Sequence, residues 1–201
     1  MVKLADIKAP IREEMQRFEP KFKAYLSSNV PLVDRVMGFM VKRKGKQMRP
    51  ILVFLSAKLI GEVNESTYRG ASLIELMHTA TLVHDDVVDD SDMRRGFFSI
   101  NALWKNKVAV LIGDYLLSRC FEMMVEDGNL EVLKLLSSTS SKIAQGEVLQ
   151  LQHKGEVDML EETYLKIISA KTAELFAAAT KVGAILSDVD TKEKDALEFY
   201  G

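Results

Sequence analysis

Five carboxylates crowd one short stretch, residues 82–96: Asp85, Asp86, Asp89, Asp90 and Asp92, followed at once by Arg94 and Arg95. The apolar run over residues 71–83 has helical spacing. On a helix, Asp85 and Asp89 are four apart and share one face. His78 stands seven residues before Asp85 on the same stripe. Like charges at that spacing repel by a few tenths of a kcal/mol even on an exposed helix (about 0.2–0.5), so something must offset them. A hard divalent cation would do so. Magnesium prefers carboxylate oxygens, keeps several waters and completes its shell with phosphate oxygens. The arginines just beyond suit an anion bridged by such metals. The alternative is a solvated acidic helix end, which the macrodipole opposes.

Three further places could meet an anion. Lys42, Arg43, Lys44, Lys46 and Arg49 surround Gly45, and Pro50 then opens a helix over 51–60. Basic side chains before a helix N-terminus make an anion cradle or a solvated basic loop. Lys171, followed by Thr172, lies inside an alanine-rich apolar helix, where a lysine must point into a polar cavity. His78 alone reads as a satisfied core histidine. Glu75-x-x-His78 has di-iron bundle spacing, but that fold needs a second Glu-x-x-His pair, and the sequence has none.

These residues need a helical scaffold. Four prolines, few β-branched runs and long 3.6-residue periodicity argue for an all-α fold. The length, 201 residues, suits one domain over 1–201 or part of a larger one. The net charge of −2 argues against a nucleic-acid or anionic-membrane partner, so phosphate binding must be local. A single cysteine, Cys120, excludes an internal disulfide and fits a reducing cytoplasm. No signal pattern opens the chain, and no apolar run approaches the roughly 20 residues of a transmembrane segment.

In chain order, the spacing predicts a helix over 7–27, with Ile7, Ile11, Met15, Phe18, Phe22 and Leu26 inward and Pro20 as a break or kink. A second helix runs over 32–41 from Pro31. Gly61 ends the 51–60 helix and Asn64 to Thr67 cap the central one. Ser99 caps a short helix containing Trp104. Residues 108–125 form a helix apolar on most sides, in which Gly113 permits close packing and a buried Asp114 needs a partner. A helix over 129–152 ends at Gly155. Asp158-x-x-Glu161 reads as a capping box for a helix over 159–186, and a last helix begins at Thr191.

The string Asp85-Asp86-x-x-Asp89 followed by Ser-Asp-Met-Arg-Arg-Gly resembles the first aspartate-rich motif of the trans-isoprenyl diphosphate synthases, the polyprenyl synthetase family. Residues 78–89 most resemble long-chain members such as octaprenyl diphosphate synthase. Gly45-Lys46-x-x-Arg49-Pro50 resembles the family's grip on isopentenyl diphosphate, with Gln47 where members often carry Arg. Gly113-Asp114-Tyr115-Leu116, Gln145-Gly146-Glu147-x-x-Gln150-Leu151 and Lys171-Thr172-Ala173 are also similar. For the Gln145–Leu151 string, packing and support of neighbouring site residues stay equally open. Phe97-Phe98-Ser99 departs from the family's usual Lys-Pro-Thr.

The resemblance implies an all-α isoprenoid (terpenoid) synthase bundle around a central cavity. It implies a Mg2+-dependent trans-prenyltransferase that condenses isopentenyl diphosphate with an allylic prenyl diphosphate into a long-chain polyprenyl diphosphate. Asp85 and Asp89 would be metal ligands with Asp86 in support. Arg94, Lys171 and Thr172 would bind the allylic diphosphate, and Gly45, Lys46, Arg49, His78 and Arg95 isopentenyl diphosphate. Met77, Ala80 and Thr81, one turn or more below Asp85, would set chain length, the small ones leaving the product path open. A homodimer is implied. The resemblance covers the first two-thirds of the family domain, and no Asp-Asp pair follows Asp90. A fragment, or a non-catalytic subunit of a heteromeric synthase, is therefore an alternative. A class I terpene cyclase would share the aspartate-rich helix but would not need the basic loop at 42–50.

Overall fold

The structure, a computed structural model, describes residues 3–42, 45–94, 96–156, 158–187 and 189–201. The helical periodicity is realised as α1 (Leu4–Lys8), a 3-10 turn (Ala9–Ile11), α2 (Arg12–Tyr25), α3 (Pro31–Lys42), α4 (Met48–Ile60), α5 (Glu65–Val88), α6 (Ile100–Asp127), α7 (Leu130–Gln152), α8 (Glu161–Ile168), a π-helical turn (Ser169–Ala173), α9 (Glu174–Ile185) and α10 (Thr191–Tyr200). Strands β1 (Met93–Arg94) and β2 (Phe97–Phe98) make a minimal antiparallel hairpin between α5 and α6, pairing Met93 with Phe98. The described residues are otherwise all-α.

Helix α5 is the axis, with α2, α4, α6 and α9 packed on it. Its N-terminus is fixed by a reciprocal cap. Asn64 Oδ1 accepts from the Thr67 amide at 3.0 Å and Thr67 Oγ1 accepts from the Asn64 amide at 3.1 Å. Leu73, Ile74, Leu76 and Met77 are buried on every side of it, which suits a helix surrounded by others. Close approach to α9 needs a bare backbone on the α4 side. A Cβ on Gly183 would lie 2.5 Å from the Val53 carbonyl oxygen.

Several boundaries differ from the sequence expectation. The first helix divides at the turn around Pro10, because proline tolerates a first-turn position. Pro20 stands inside α2 without interrupting it. Helix α6 takes in the short segment capped by Ser99, joined by a kink at Lys105 (φ 72°, ψ 158°). Asp158 and Glu161 form no capping box: α8 starts at Glu161 after Leu160, which has no side-chain cap, so Asp158 lies two residues outside. The expected single helix over 159–186 becomes α8, π turn and α9. Helix α7 ends at Gln152, with Gly155 in the left-handed region (φ 92°) of the turn beyond.

Candidate active site

The last turn of α5 carries the aspartates. Asp86 is buried, Asp85 half-buried and Asp89, the C-cap, exposed. The hairpin folds Arg94 back onto this turn, where its Nε donates to Asp86 Oδ1 at 2.6 Å. Two backbone bonds hold that fold-back, Ser91 N–H to Asp86 O at 2.9 Å and Ser99 N–H to Asp92 O at 3.0 Å. Arg95, between β1 and β2, lies outside the described residues.

Opposite Asp85, the π turn presents Lys171. Its Nζ donates to Glu147 Oε2 at 2.7 Å and to Gln150 Oε1 at 2.8 Å, both on α7. The turn packs closely on α7 at Gly146, where a Cβ would lie 2.7 Å from Ala170 Cβ. Burial and the Glu147 carboxylate push the Asp85 carboxyl up from its ordinary 3.8 to about 6, against the pull of Lys171 and Arg94, with Asp89 adding to the rise. Burial raises Asp86 too, against the pull of its Arg94 hydrogen bond. Asp85 is thus an anion that the protein alone does not neutralise.

Beside this cluster lies a cavity of about 360 Å3, lined on its polar side by Glu75, His78, Asp86, Arg94, Gly45 and Gln47. Its apolar wall includes Phe22, Leu26, Met37, Phe39, Phe97 and Phe98. Gln47 is buried with φ 55°, directing the chain from the basic loop into α4. Arg49, on the first turn of α4, sits over the Phe176 ring at 4.6 Å.

Of the residues singled out by sequence, Asp85, Lys171 and Arg94 therefore share one charge cluster, and Gly45, His78, Asp86 and Arg94 share one cavity. Lys46 and Thr172 are exposed. Met77 and Ala80 are core residues, 1% and 2% exposed, and the Thr81 hydroxyl donates to the His78 carbonyl at 2.9 Å; none of the three lines the cavity. Asp114 is not buried: its side chain is 60% exposed and pairs with His84 Nε2 at 3.3 Å. The reason is the glycine before it. The His84 ring fills the notch at Gly113, where a Cβ would lie 2.3 Å from Nε2, and this puts the ring beside Asp114 at the helix surface. Sequence reading left the role of Glu147 and Gln150 open; their three-residue spacing puts both on one face of α7, but nothing local points that face at Lys171.

The donor set fits a hard cation. Asp85 and Asp89 offer carboxylate oxygens, and burial and Glu147 disfavour the Asp85 anion despite Lys171 and Arg94, a cost that a divalent ion would relieve. Asp86 already accepts from Arg94. Among the described residues no group of three or more His, Cys, Asp or Glu side chains is gathered as a metal cage. Magnesium does not need one, since it commonly takes one or two carboxylates plus water and phosphate.

The description of the polyprenyl synthetase family matches residues 30–201. The chain belongs to the polyprenyl synthetase family. It is 45% identical over 197 residues to the all-trans-nonaprenyl-diphosphate synthase (geranyl-diphosphate specific) of Rhodobacter capsulatus, covering 98% of this chain and 61% of that protein. To the octaprenyl diphosphate synthase of Escherichia coli it is 43% identical over 176 residues, covering 88% of this chain and 54% of the relative. The crystal structure of a polyprenyl synthase from Caulobacter crescentus complexed with calcium and isoprenyl diphosphate superposes with a TM-score of 0.94 at 36% identity, covering 98% of this chain and 60% of that one. The all-α bundle is thus the isoprenoid synthase fold of polyprenyl synthetases. The chain spans less than two thirds of the length of these relatives.

Proposed function

We propose that the protein is a magnesium-dependent trans-prenyltransferase that joins isopentenyl diphosphate to an allylic prenyl diphosphate and builds a long-chain polyprenyl diphosphate. The observation that carries this reading is the meeting of Asp85, Arg94 and Lys171 beside a cavity reached by His78 and Gly45. Relatives named as nonaprenyl and octaprenyl diphosphate synthases support the long-chain product.

In this reading Asp85 and Asp89 hold the metal. When bound, magnesium supplies positive charge that stabilises a departing diphosphate. The chain's own residues do the rest. Asp86 fixes Arg94 by its hydrogen bond. Arg94, Lys171 and Thr172 contact the allylic diphosphate, and Glu147 with Gln150 keep Lys171 extended towards Asp85. Gly45, Lys46, Arg49, His78 and Arg95 take the diphosphate of isopentenyl diphosphate. The allylic C–O bond breaks with its electron pair leaving on diphosphate. The double bond of isopentenyl diphosphate then attacks C1, and a proton is lost, with the released pyrophosphate as the base. No side-chain nucleophile is required. Met77, Ala80 and Thr81 stand as the chain-length determinants, Met77 and Ala80 from within the core.

We also propose that residues 1–201 belong to a single all-α polyprenyl synthetase domain, of which they correspond to the N-terminal two-thirds, with a cytoplasmic location and a homodimer. No helix among the described residues is long and apolar enough to cross a membrane. Helix α6 exposes Leu103, Val110, Leu111, Phe121 and Val125, an apolar series that suits a second copy.

The test is incorporation of labelled isopentenyl diphosphate onto an allylic primer in magnesium, with product length read by chromatography. The reading expects long-chain products. It is overturned if an active preparation cyclises the allylic diphosphate without consuming isopentenyl diphosphate.

A further inference from the structure

The face of an aromatic ring attracts a guanidinium and limits its movement. Arg49 has such a support. Its guanidinium carbon sits 4.6 Å from the centroid of the Phe176 ring. The helix that carries the ring is held against that of Arg49, because α4 and α9 are in close contact and Gly183, two turns on from Phe176, brings the α9 backbone against Val53 of α4. Phe176 also stands five residues beyond Lys171 on the same continuous run of helix.

We propose that Phe176 is a positioning residue for Arg49, a cation–π shelf that fixes the guanidinium for the diphosphate of isopentenyl diphosphate. The inference rests on the reading of Arg49 as a ligand of that diphosphate. It adds a physical link between the two diphosphate sites, since the shelf belongs to the segment that carries Lys171.

Calorimetric titration of the 201-residue chain with isopentenyl diphosphate tests it, each variant first matched to wild type by circular dichroism. Phe176→Leu keeps the apolar volume and loses the ring; affinity is expected to fall about fivefold. Phe176→Tyr keeps the ring face and is expected to stay within about twofold. If Phe176→Leu does not fold, Phe176→Met replaces it with the same expectation. In an Arg49→Gln background the Phe176→Leu loss is expected to vanish. Equal affinities for the Leu and Tyr variants overturn the inference, as does a Phe176→Leu loss that persists without Arg49, and both results leave the reading of Arg49 intact. An Arg49→Gln variant that binds like wild type, or a wild-type chain that binds nothing, refutes that reading and the inference with it.

Discussion

Asp85→Asn should make the metal-free protein more stable at neutral pH while removing its capacity to hold a metal. Asp85 is ionised at pH 8 in both the folded and unfolded chain, but only the folded chain bears the cost of burial and of the facing Glu147 carboxylate. A rise from 3.8 to about 6 corresponds to about 3 kcal/mol for a fully desolvated group. Asp85 is only half-buried, and solvent screening brings the figure to about 1–2 kcal/mol. The sign follows from proton binding. Between the two values the folded chain binds more protons than the unfolded one, so this group makes stability fall as pH rises. The amide variant should therefore match wild type near pH 4, gain through about pH 6, and keep a constant advantage of about 1–2 kcal/mol above about pH 7. Urea unfolding in EDTA across that range is the assay. Destabilisation at pH 8, or a difference that does not change with pH, would refute the argument that Asp85 stands strained for a cation. Such a site, held at the expense of stability, is the usual form of a trade between stability and activity.

Three further outcomes are expected. Gly113→Ala pushes a methyl into the His84 ring and should cost about 1–3 kcal/mol in urea unfolding, part of which His84→Ala in the same chain recovers. The Cys120 thiol, fully buried and pushed up to about 12, should resist thiol–disulfide exchange reagents at pH 8 in the native chain and react on unfolding. Lys105→Gly relieves a backbone conformation that only glycine adopts readily and should raise stability by about 1 kcal/mol, again by urea unfolding.

The helices and their caps were open to reading because periodicity and capping are local. Asn64 and Ser99 each cap as their types suggest. The aspartates, the basic loop and Lys171 stood out because like or lone charges in apolar helices demand an explanation. What local pattern could not reveal was pairing across the fold. Asp114 reads as buried beside Gly113, yet that glycine makes room for a histidine from another helix, whose ring meets Asp114 at the surface. The π turn at Ser169–Ala173 has no sequence signature of its own; it arises where Ala170 and Lys171 must fit against Gly146 and Glu147. Met77 and Ala80 sit about two turns and one turn below Asp85, but the core that buries them includes residues from distant segments.

The central claim is that Asp85 and Asp89 gather a divalent cation through which a diphosphate binds. Titrating the chain with inorganic pyrophosphate, with and without magnesium, in wild type and in Asp85→Asn, measures this directly. The account predicts a magnesium-dependent heat of binding for wild type, over and above binding at the isopentenyl diphosphate residues, and no magnesium-dependent heat for the variant. Pyrophosphate binding that ignores magnesium, or that survives Asp85→Asn unchanged, would contradict it.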